Sequence, residues 1–291
     1  MQRILVTGAT GFIGQHVIRE LLLRKYAVIA SSVQEEKARQ LPWFDQVEYI
    51  PFDLRQVDPA VNYYDFFGRP DAMIHLAWEG LPNYKAAFHL EDNLPRHYSF
   101  LSNIIANGLK DLTVTGTCFE YGMQEGCLTE TMECSPDNAY AKAKYLLQQQ
   151  LESLTGTFAF RCKWVRLFYM YGAGQSANSL IPQLEKALAN HDTSFNMSGG
   201  EQVRDFLPVE KVAAYIVAVA LQIRETGIIN CCSGVPVSVK DFVLDYLRQR
   251  GKSIQLNLGF YPYADYEPMR FWGDNNKLKK ILANDHFFAD K

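Results

Sequence analysis

The sequence predicts an α/β fold in which a doubly wound parallel sheet carries a smaller C-terminal lobe. Three observations predict it: six short apolar runs precede residue 170, helical patterns separate these runs, and the pattern loosens after about residue 172. Strands that alternate with helices of this length form right-handed βαβ units, and such units build a parallel sheet.

The six apolar runs are the predicted strands of the sheet. They cover residues 4–7, 27–30, 47–50, 72–77, 112–115 and 163–168. After the first run, Ile13, Val17 and Leu21 recur at i, i+4 and i+8, which gives residues 12–24 the buried stripe of an amphipathic helix. A second, longer helix is predicted over residues 84–107, where leucine and isoleucine recur at three- to seven-residue steps.

Glycines break the pattern in the C-terminal part of the chain. Two helical stretches, 209–223 and 239–250, remain recognisable there, and a short strand at 227–231 separates them. We therefore predict a first domain over residues 1–170 and a C-terminal lobe over residues 171–291. The lobe is expected to interleave with the sheet, so the boundary is soft.

Composition excludes several classes of protein. The chain has 291 residues, of which 48% are hydrophobic and 21% charged, as in ordinary globular proteins. Its 29 basic and 32 acidic residues give a net charge of −3 without a basic block, so no nucleic-acid partner is predicted. None of the six cysteines forms a C-x-x-C pair and no histidine pair completes a zinc pattern, so no metal site is predicted.

The apolar stretches are too short for an export signal or a membrane span. The first covers only residues 4–6, and the longest later one covers residues 212–223. We therefore expect a cytoplasmic protein with reduced thiols and without a membrane partner.

A glycine-rich turn joins the first predicted strand to the first helix. It reads Gly8-Ala9-Thr10-Gly11-Phe12-Ile13-Gly14. In such a turn Gly8 permits the tight bend, Gly11 lets the backbone approach a pyrophosphate, and Gly14 lets the helix pack against the sheet. The phosphates then lie at a helix N-terminus, where amide hydrogens and the helix dipole favour anions. A strand before the motif and a helix after it are the context that predicts a dinucleotide site.

The end of the second strand favours NADP(H) over NAD(H). An acid there would bind the adenosine ribose 2′-hydroxyl, but the chain reads Ser31-Ser32, and Lys37 and Arg39 follow within reach of a phosphate. NAD(H) remains possible, because these two cations are also what a solvated helix face carries. Asp53, after the third strand, is the predicted acceptor for the adenine amino group.

Tyr140 and Lys144 form the predicted catalytic pair. They lie four residues apart at the start of a helical pattern, so their side chains share one face. A phenol beside a lysine ammonium is expected to have a lowered pKa and to exchange a proton near neutrality. Thr117, in a threonine-rich segment after the fifth strand, supplies a hydroxyl that can polarise a carbonyl oxygen.

Together these motifs resemble the extended short-chain dehydrogenase/reductase family, which includes nucleotide-sugar epimerases, dehydratases and ketoreductases. The resemblance spans nearly the whole chain and rests on Gly8–Gly14, Asp53-Leu54, His75-Leu76-Ala77, Asn93, Thr117, Tyr121-Gly122, Tyr140, Lys144, Arg166-Leu167-Phe168 and Arg204-Asp205-Phe206. It implies a Rossmann-type sheet that binds a nicotinamide dinucleotide and a C-terminal lobe that binds a nucleoside-diphosphate sugar. It also implies a homodimer formed through the helix predicted at 84–107.

The resemblance also assigns roles to single residues. Tyr140 becomes the acid/base, Lys144 the residue that holds the nicotinamide ribose, and Arg204 the residue that meets the diphosphate. The implied cofactor contacts are Gly8, Thr10, Gly11, Phe12, Ile13, Gly14, Ser31, Ser32, Asp53, Leu54, Leu76, Ala77, Tyr140 and Lys144. The implied substrate contacts are Trp78, Thr117, Cys118, Tyr140, Asn178, Arg204 and Arg270.

The chain departs from the family pattern on the substrate side. Ala264 stands where a second phosphate arginine is usual, and Arg270 is the candidate substitute. Tyr169 stands where an asparagine is usual, with Asn178 as the alternative diphosphate contact. These departures concern the substrate contacts and leave the cofactor contacts unchanged.

The residues after Thr117 separate the possible reactions. Dehydratases of the family carry an acid pair there to eliminate water, whereas this chain has Cys118 and Phe119. Coupled epimerisation at C3 and C5 uses a cysteine at the position of Phe119, so Cys118 lies one residue out of register. The best interpretation is an NADPH-dependent 4-ketoreductase that acts on a nucleoside-diphosphate 4-keto-6-deoxyhexose. Within that class, the reduction of dTDP-4-keto-6-deoxyglucose to dTDP-fucose is the best match. Such a sugar would serve surface polysaccharide (O-antigen) or glycoside biosynthesis.

Two alternatives stay open. A 4-epimerase with bound NAD needs only the threonine, tyrosine and lysine, and a non-catalytic NADP-binding sensor would need none of them. Two residues near the site also have plainer interpretations: Trp78 as the closure of a sheet edge, and Glu120 as the cap of a loop.

Overall fold

The computed structural model describes residues 2–288 of the chain. The strands are β1 Arg3–Thr7, β2 Ala27–Ser31, β3 Glu48–Tyr49, β4 Ala72–His75, β5 Asp111–Thr117, β6 Gly126–Leu128, β7 Arg161–Leu167, β8 Tyr169–Tyr171, β9 Ser194–Asn196, β10 Val203–Arg204, β11 Phe206–Pro208, β12 Gly227–Cys231, β13 Val237–Ser238, β14 Gln255–Asn257 and β15 Phe271–Gly273. The helices are α1 Phe12–Leu23, α2 Glu35–Arg39, α3 Tyr63–Phe66, α4 Leu94–Ala106, α5 Ala139–Leu154, α6 Leu180–Ala189, α7 Val209–Leu221, α8 Val239–Gln249 and α9 Asn276–Ala283.

Seven strands form one parallel sheet in the order β12-β7-β5-β4-β1-β2-β3. This is the predicted α/β fold with a Rossmann-type sheet, and each of the six predicted strands is present. Because the strands are parallel, their carboxyl ends share one edge, and a ligand cleft of an open α/β sheet is expected at that edge.

Both faces of the sheet are covered, as a parallel sheet requires. On one face, apolar side chains of α1 and α7 pack against β1, β2 and β7, with Val17, Ile216 and Val165 among the fully buried residues. On the other face, α4 and α5 contribute Phe100 and Leu147 to a second core. The apolar runs in the sequence are therefore strands that are buried on both sides.

The C-terminal part of the chain contributes to two regions. Residues of α7 and β12 belong to the large sheet and its covering layer, since β12 pairs with residues 163–167 of β7. A separate small core is formed by α6, α8 and β9, around Leu184, Phe195 and Val243. Residues 171–288 are therefore divided between the layer of the large sheet and this small core.

The helix predicted over residues 84–107 is shorter in the structure. Regular α-helix begins at Leu94, and a π-helical turn, His89–Asn93, precedes it. Pro95 lies in the first turn of α4 and has no amide hydrogen to donate to the preceding turn, which explains the change of helix type there. Within residues 2–288, no helix combines the length and apolar character needed to cross a bilayer.

Candidate active site

The glycine turn between β1 and α1 has the geometry that close backbone approach requires. Gly8 has a φ of 71°, and a Cβ there would lie 2.7 Å from the Ala77 amide nitrogen. A Cβ at Gly14 would overlap the Gly8 carbonyl oxygen, so α1 reaches this position only with glycine. Gly11 is the N-cap of α1 and offers no side-chain cap, which leaves the first amides of the helix available to an anion.

A cleft of about 400 Å³ lies beside this turn, at the carboxyl ends of β1, β2 and β4. Its lining includes nine of the predicted contacts: Gly8, Thr10, Gly11, Ser31, Ser32, Leu54, Leu76, Ala77 and Trp78. Phe12, Ile13 and Gly14 form the first turn of α1 at the end of the glycine turn. The shape and the uncapped helix fit a nicotinamide dinucleotide, which the turn would hold by its pyrophosphate.

Two predicted adenosine contacts have protein partners in the structure. Ser32 Oγ and the Tyr49 hydroxyl form a hydrogen bond of 2.9 Å. The Asp53 carboxylate accepts hydrogen bonds of 2.7–3.0 Å from the Arg55 guanidinium, which lowers the pKa of Asp53. Asp53 therefore positions a cation of the cleft, and its capacity to accept from adenine is partly occupied.

The cations at this end of the cleft are not those that the sequence suggested. Arg55 and Arg96 line it, whereas Lys37 and Arg39 are outside the lining. Arg39 instead forms an ion pair of 2.5 Å with Glu35 on its own helix. Arg55 comes from the loop after β3, so only the fold brings it opposite the end of β2.

Thr117, Tyr140 and Lys144 come together at the carboxyl end of β5. Thr117 is the last residue of β5, and Tyr140 and Lys144 lie one turn apart at the start of α5. The Ala141 amide donates to Asn138 Oδ1 at 2.9 Å, which caps α5 directly before the tyrosine. Thr117 and Tyr140 are each 7% exposed and Lys144 is 2% exposed, so all three act in a site with little water.

The pKa of Tyr140 is shifted in the opposite direction to the prediction, which was that Lys144 lowers it. Burial, with a further contribution from the Glu120 carboxylate, raises the pKa of Tyr140, and a hydrogen bond from Thr117 offsets part of the rise. Burial also lowers the pKa of Lys144 to about 7. The prediction was wrong because spacing along a helix says nothing about the desolvation of the phenol, which dominates here.

Lys144 has no carboxylate among its close contacts in the described residues. Its Nζ donates to the Thr115 carbonyl oxygen at 2.9 Å and lies 4.1 Å from the centre of the Trp78 ring. The ring face offers the ammonium an electrostatic attraction without neutralising it. Trp78 therefore supports the lysine from within the cleft, besides lining it.

On the substrate side, Arg204 is engaged by an acid of the chain. Its guanidinium donates to Glu267 Oε2 at 2.8 Å, and the Tyr169 hydroxyl donates to the same oxygen. The Arg204 side chain also lies over the Phe271 ring at 4.5 Å. A diphosphate that binds Arg204 therefore competes with Glu267.

The other two predicted diphosphate contacts are exposed. Asn178 hydrogen-bonds Ser176 in its own loop and Gln183 on α6. Arg270 directly precedes β15; its backbone bridges that of Val203, the neighbour of Arg204, and its carbonyl oxygen accepts from the Gly126 amide. Their assignment to the substrate stays a prediction.

The rings of Tyr84, Phe119 and Tyr266 form an aromatic wall next to Tyr140. The Tyr84 ring contacts the rings of Phe119, Tyr140 and Tyr266 at centroid distances of 5.2, 5.7 and 5.8 Å. Cys118 lies between Thr117 and Phe119, and burial raises the pKa of its thiol well above the ordinary value. The thiol is therefore neutral near pH 7 and unsuited to act as a base.

Comparison with known proteins places this site in a family. The sequence model of the NAD dependent epimerase/dehydratase family matches residues 4–232 of this chain. The chain belongs to that family. It is therefore an enzyme, as the sequence predicted, and the Rossmann-type sheet with the glycine turn is the part that the match covers.

Two relatives and one solved structure describe its place in the family. The dTDP-6-deoxy-L-talose 4-dehydrogenase (NAD(+)) of Aggregatibacter actinomycetemcomitans is 29% identical over 271 residues, which is 93% of this chain and 98% of that protein. The GDP-6-deoxy-D-talose 4-dehydrogenase of the same organism is 28% identical, covering 99% of this chain and 93% of that protein. The UDP-glucose-4-epimerase of Stenotrophomonas maltophila superposes with a TM-score of 0.84 at 20% identity, over 97% of this chain and 93% of that one.

This epimerase/dehydratase-family site contains a histidine network that the sequence analysis missed. His75 hydrogen-bonds Thr7 Oγ1 at 2.8 Å and His97 Nδ1 at 2.7 Å, and Trp78 stacks on His97. Burial lowers the pKa of His75 to about 3, so its ring is neutral at physiological pH. His97 lies on α4, 22 residues beyond His75, and no local pattern connects the two. Within residues 2–288, no cluster of histidine, cysteine and acidic side chains could hold a metal ion.

Proposed function

We propose that the protein is a nicotinamide-dependent 4-ketoreductase of a nucleoside-diphosphate 4-keto-6-deoxyhexose, with dTDP-4-keto-6-deoxyglucose as the substrate to test first. The observation that carries the proposal is the pair of buried hydroxyls, Thr117 and Tyr140, with the neutral thiol of Cys118 and the ring of Phe119 beside them. Two donors aimed at one oxygen suit the reduction of a carbonyl, and neither neighbour can take the proton that an elimination requires.

The residues of the chain perform the proton part of this reaction. Thr117 and Tyr140 donate hydrogen bonds to the C4 carbonyl oxygen, and Tyr140 transfers its proton to the alkoxide as it forms. Because burial raises the pKa of Tyr140, the phenol is protonated beforehand, which is the form that a reduction needs. The nicotinamide supplies the hydride to C4 when it is bound. Lys144, which forms no ion pair with a carboxylate of residues 2–288, is available to contact the ribose.

The relatives and the aromatic wall both support a 6-deoxyhexose. The two relatives are named as 4-dehydrogenases of 6-deoxytaloses, and a 4-dehydrogenase and a 4-ketoreductase perform one reaction in opposite directions. In this chain the rings of Tyr84, Phe119 and Tyr266 pack together next to Tyr140. The Phe119 ring carries no polar atom, so a C6 methyl group suits it better than a hydroxymethyl group, because a buried hydroxyl without a partner is costly.

Deuterium transfer tests the reaction type. With dTDP-4-keto-6-deoxyglucose and cofactor deuterated at the transferring position, one deuterium should appear at C4 of the product and one cofactor should be oxidised per turnover. Tyr140→Phe, which keeps the ring and removes the proton, is the matched control and should bind both ligands with strongly reduced turnover.

A 4-epimerase is the second candidate, favoured by the superposition on a UDP-glucose-4-epimerase. Its signature in the same experiment is interconversion of dTDP- or UDP-hexoses without net oxidation of the cofactor. That result would replace the reductase proposal. A non-catalytic sensor would give neither signal, although it would bind the cofactor.

For the cofactor, we propose a preference for NADPH. Ser31 and Ser32 stand where an acid would repel a 2′-phosphate, and Arg55 lines the same end of the cleft. Ser32→Asp should erase or invert the preference, because one like-charge contact costs about 1–3 kcal/mol. One relative is named as NAD(+)-dependent, so NADH is the competing outcome. A tenfold higher kcat/KM with NADH in the natural protein would refute this part of the proposal.

The proposed assembly is a homodimer through the segment 84–107, which contains α4, and we add the adjacent α5 to this proposed interface. Leu146 on α5 is 40% exposed although it is apolar, which fits a face that a second copy covers. Sedimentation equilibrium should give twice the 33.2 kDa mass of one chain. Leu146→Glu should shift the equilibrium toward monomers, and a natural protein that sediments as a monomer would exclude the assembly.

A further inference from the structure

A buried carboxylate lies directly behind the catalytic hydroxyl pair. Glu120 is in the single helical turn Cys118–Tyr121 that follows β5, and it is completely inaccessible to solvent. The Thr117 amide donates to Glu120 Oε1 at 2.8 Å, and the Phe119 amide donates to Thr117 Oγ1 at 3.3 Å. Together these bonds form a capping box: the Thr117 side chain accepts from an amide inside the turn, and the Glu120 side chain accepts from the Thr117 amide before it.

The carboxylate is held on its other side by the neighbouring strand. Arg166 Nε donates to Glu120 Oε2 at 2.7 Å, and Trp164 Nε1 donates to both carboxylate oxygens at 3.0 and 3.1 Å. Trp164 and Arg166 are two residues apart on β7 and therefore face the same side of the sheet. Gly116 lies opposite Arg166 on β5, and any side chain there would overlap both Trp164 and Glu120.

Stability alone does not explain this arrangement. A buried ion pair contributes little to stability compared with apolar side chains of the same volume, because its desolvation offsets its attraction. What the pair does provide is a fixed geometry, because the Glu120 carboxylate accepts four hydrogen bonds. Here the fixed group is the backbone of Thr117, and the Thr117 hydroxyl accepts from the Phe119 amide with one lone pair, so its hydrogen is free to point toward a substrate oxygen beside Tyr140.

We propose that Glu120 is a positioning residue: through the Thr117 amide, its carboxylate aims the Thr117 hydroxyl at the oxygen that reacts. The inference rests on the proposed function in one respect, that Thr117 donates to the substrate oxygen. It requires no contact between Glu120 and the substrate or the cofactor.

A double-mutant cycle between Glu120 and Thr117 tests the proposal. Glu120→Gln and Glu120→Asp should each lower kcat about 10- to 100-fold, because a small misplacement of a catalytic group has effects of that size. KM and the dissociation constant of the cofactor should change by less than about twofold. Thr117→Val should lower kcat about 10²–10³-fold, and adding Glu120→Gln to it should lower kcat by no more than about twofold more, since residues that act as a unit are not additive.

Asp111→Asn is the matched control. Asp111 is also a buried carboxylate that pairs with a base on β7, but it lies at the opposite end of the same strand pair. The control should lower the melting temperature and leave kcat of the folded enzyme unchanged. Amide hydrogen exchange of Thr117, measured without ligands, should accelerate in Glu120→Gln and stay unchanged in Asp111→Asn.

Three results would overturn the proposal. They are a kcat within about threefold of the natural enzyme in a folded Glu120 variant, a full additional loss in the Thr117→Val background, and failure of both Glu120 variants to fold by circular dichroism, which would make the pair purely structural. If the natural enzyme does not reduce the 4-keto sugar, the function proposal fails separately. The cycle is then run on hexose epimerisation, in which Thr117 would contact the same oxygen.

Discussion

Two lysines are buried in the core of this enzyme, and their surroundings differ in one respect. Lys163 on β7 is 0% exposed and donates to the Asp111 carboxylate at 2.6 Å and to the Ala220 carbonyl oxygen at 2.8 Å. Lys144 on α5 is 2% exposed and has a carbonyl oxygen and the Trp78 ring as its close contacts. Burial lowers the pKa of both.

The difference separates a structural lysine from a functional one. At the amino end of β5 and β7, charge is neutralised within the protein, and Arg161 also pairs with Asp111. At the carboxyl end, where the cleft lies, the Lys144 ammonium forms no ion pair within the described part of the chain and retains capacity for another partner. Burial of the Lys144 ammonium without a counter-charge is unfavourable in the protein alone, so a ligand is expected to supply the missing contact.

The largest expected effect is on turnover, and it tests whether the site that contains Tyr140 and Lys144 is catalytic. Tyr140→Phe removes one positioned proton donor, and turnover should fall roughly 10²–10⁴-fold with substrate binding retained. Steady-state rates and cofactor titration by fluorescence measure the two quantities. Lys163→Met is the comparison, and its folded fraction should keep its turnover. Near-normal turnover of the Phe variant would remove Tyr140 from the mechanism.

The next effect concerns stability at the other lysine. Asp111→Asn leaves the Lys163 ammonium buried without its counter-charge, which should lower the free energy of unfolding by about 3–5 kcal/mol. Urea denaturation measures the change. Replacing both partners, with Asp111→Asn and Lys163→Met together, should recover much of the loss. If the single and double variants are equally unstable, the pair does not behave as a unit.

A smaller effect is the pH dependence of stability that Lys144 causes. Its pKa is about 7 in the folded protein and 10.5 in an unfolded chain. Below pH 7 the lysine is charged in both states, and above 10.5 it is neutral in both. Between these values the unfolded chain binds more protons, so the contribution of Lys144 to stability rises with pH.

The contribution of Lys144 to this pH dependence is measured by comparing the free energy of unfolding of the natural enzyme with that of Lys144→Met. Between about pH 7.5 and about pH 9.5 the natural enzyme should gain up to about 2.7 kcal/mol more than Lys144→Met, at 1.36 kcal/mol per pH unit. Chemical denaturation at the two pH values gives both free energies. Lys163 is present in both proteins, so its own titration cancels. Parallel curves for the two proteins would show that Lys144 is not desolvated as the structure indicates.

The smallest effect isolates the Trp78 ring. Trp78→Leu removes an attraction worth about 1–2 kcal/mol to a desolvated ammonium, so the pKa of Lys144 should fall by about one further unit. Nuclear magnetic resonance of the labelled lysine side chains follows the titration. Lys163, which has no contact with Trp78, serves as the internal control. An unchanged Lys144 titration would mean that the ring contributes only packing.

The sequence predicts those parts of the molecule that depend on near neighbours. The six strands, α1, the glycine turn and the Tyr140–Lys144 spacing are all readable within a few residues, and the structure contains each of them. The helix predicted at 84–107 was too long, because apolar spacing continues through the π-helical turn before Pro95.

The remaining features depend on pairs that are distant along the chain. Lys163 meets Asp111 across 52 residues, and Arg204 meets Glu267 across 63. The two acids, Asp111 and Glu267, lie outside the motifs named above, so the sequence cannot show that the charges of Lys163 and Arg204 are already neutralised within the protein. The direction of the Tyr140 pKa shift has the same origin, since desolvation is set by the whole core and not by the residue four positions away.

The place of β12 in the sheet has a consequence for how the chain is made. Sixty positions separate the end of β7 at Leu167 from the start of β12 at Gly227, and β12 covers the outer edge of β7. A ribosome that adds roughly 5–20 residues per second leaves this edge unpaired for several seconds. Bare strand edges recruit other chains, so nascent and truncated copies that end before residue 227 are the forms expected to need chaperones or to aggregate.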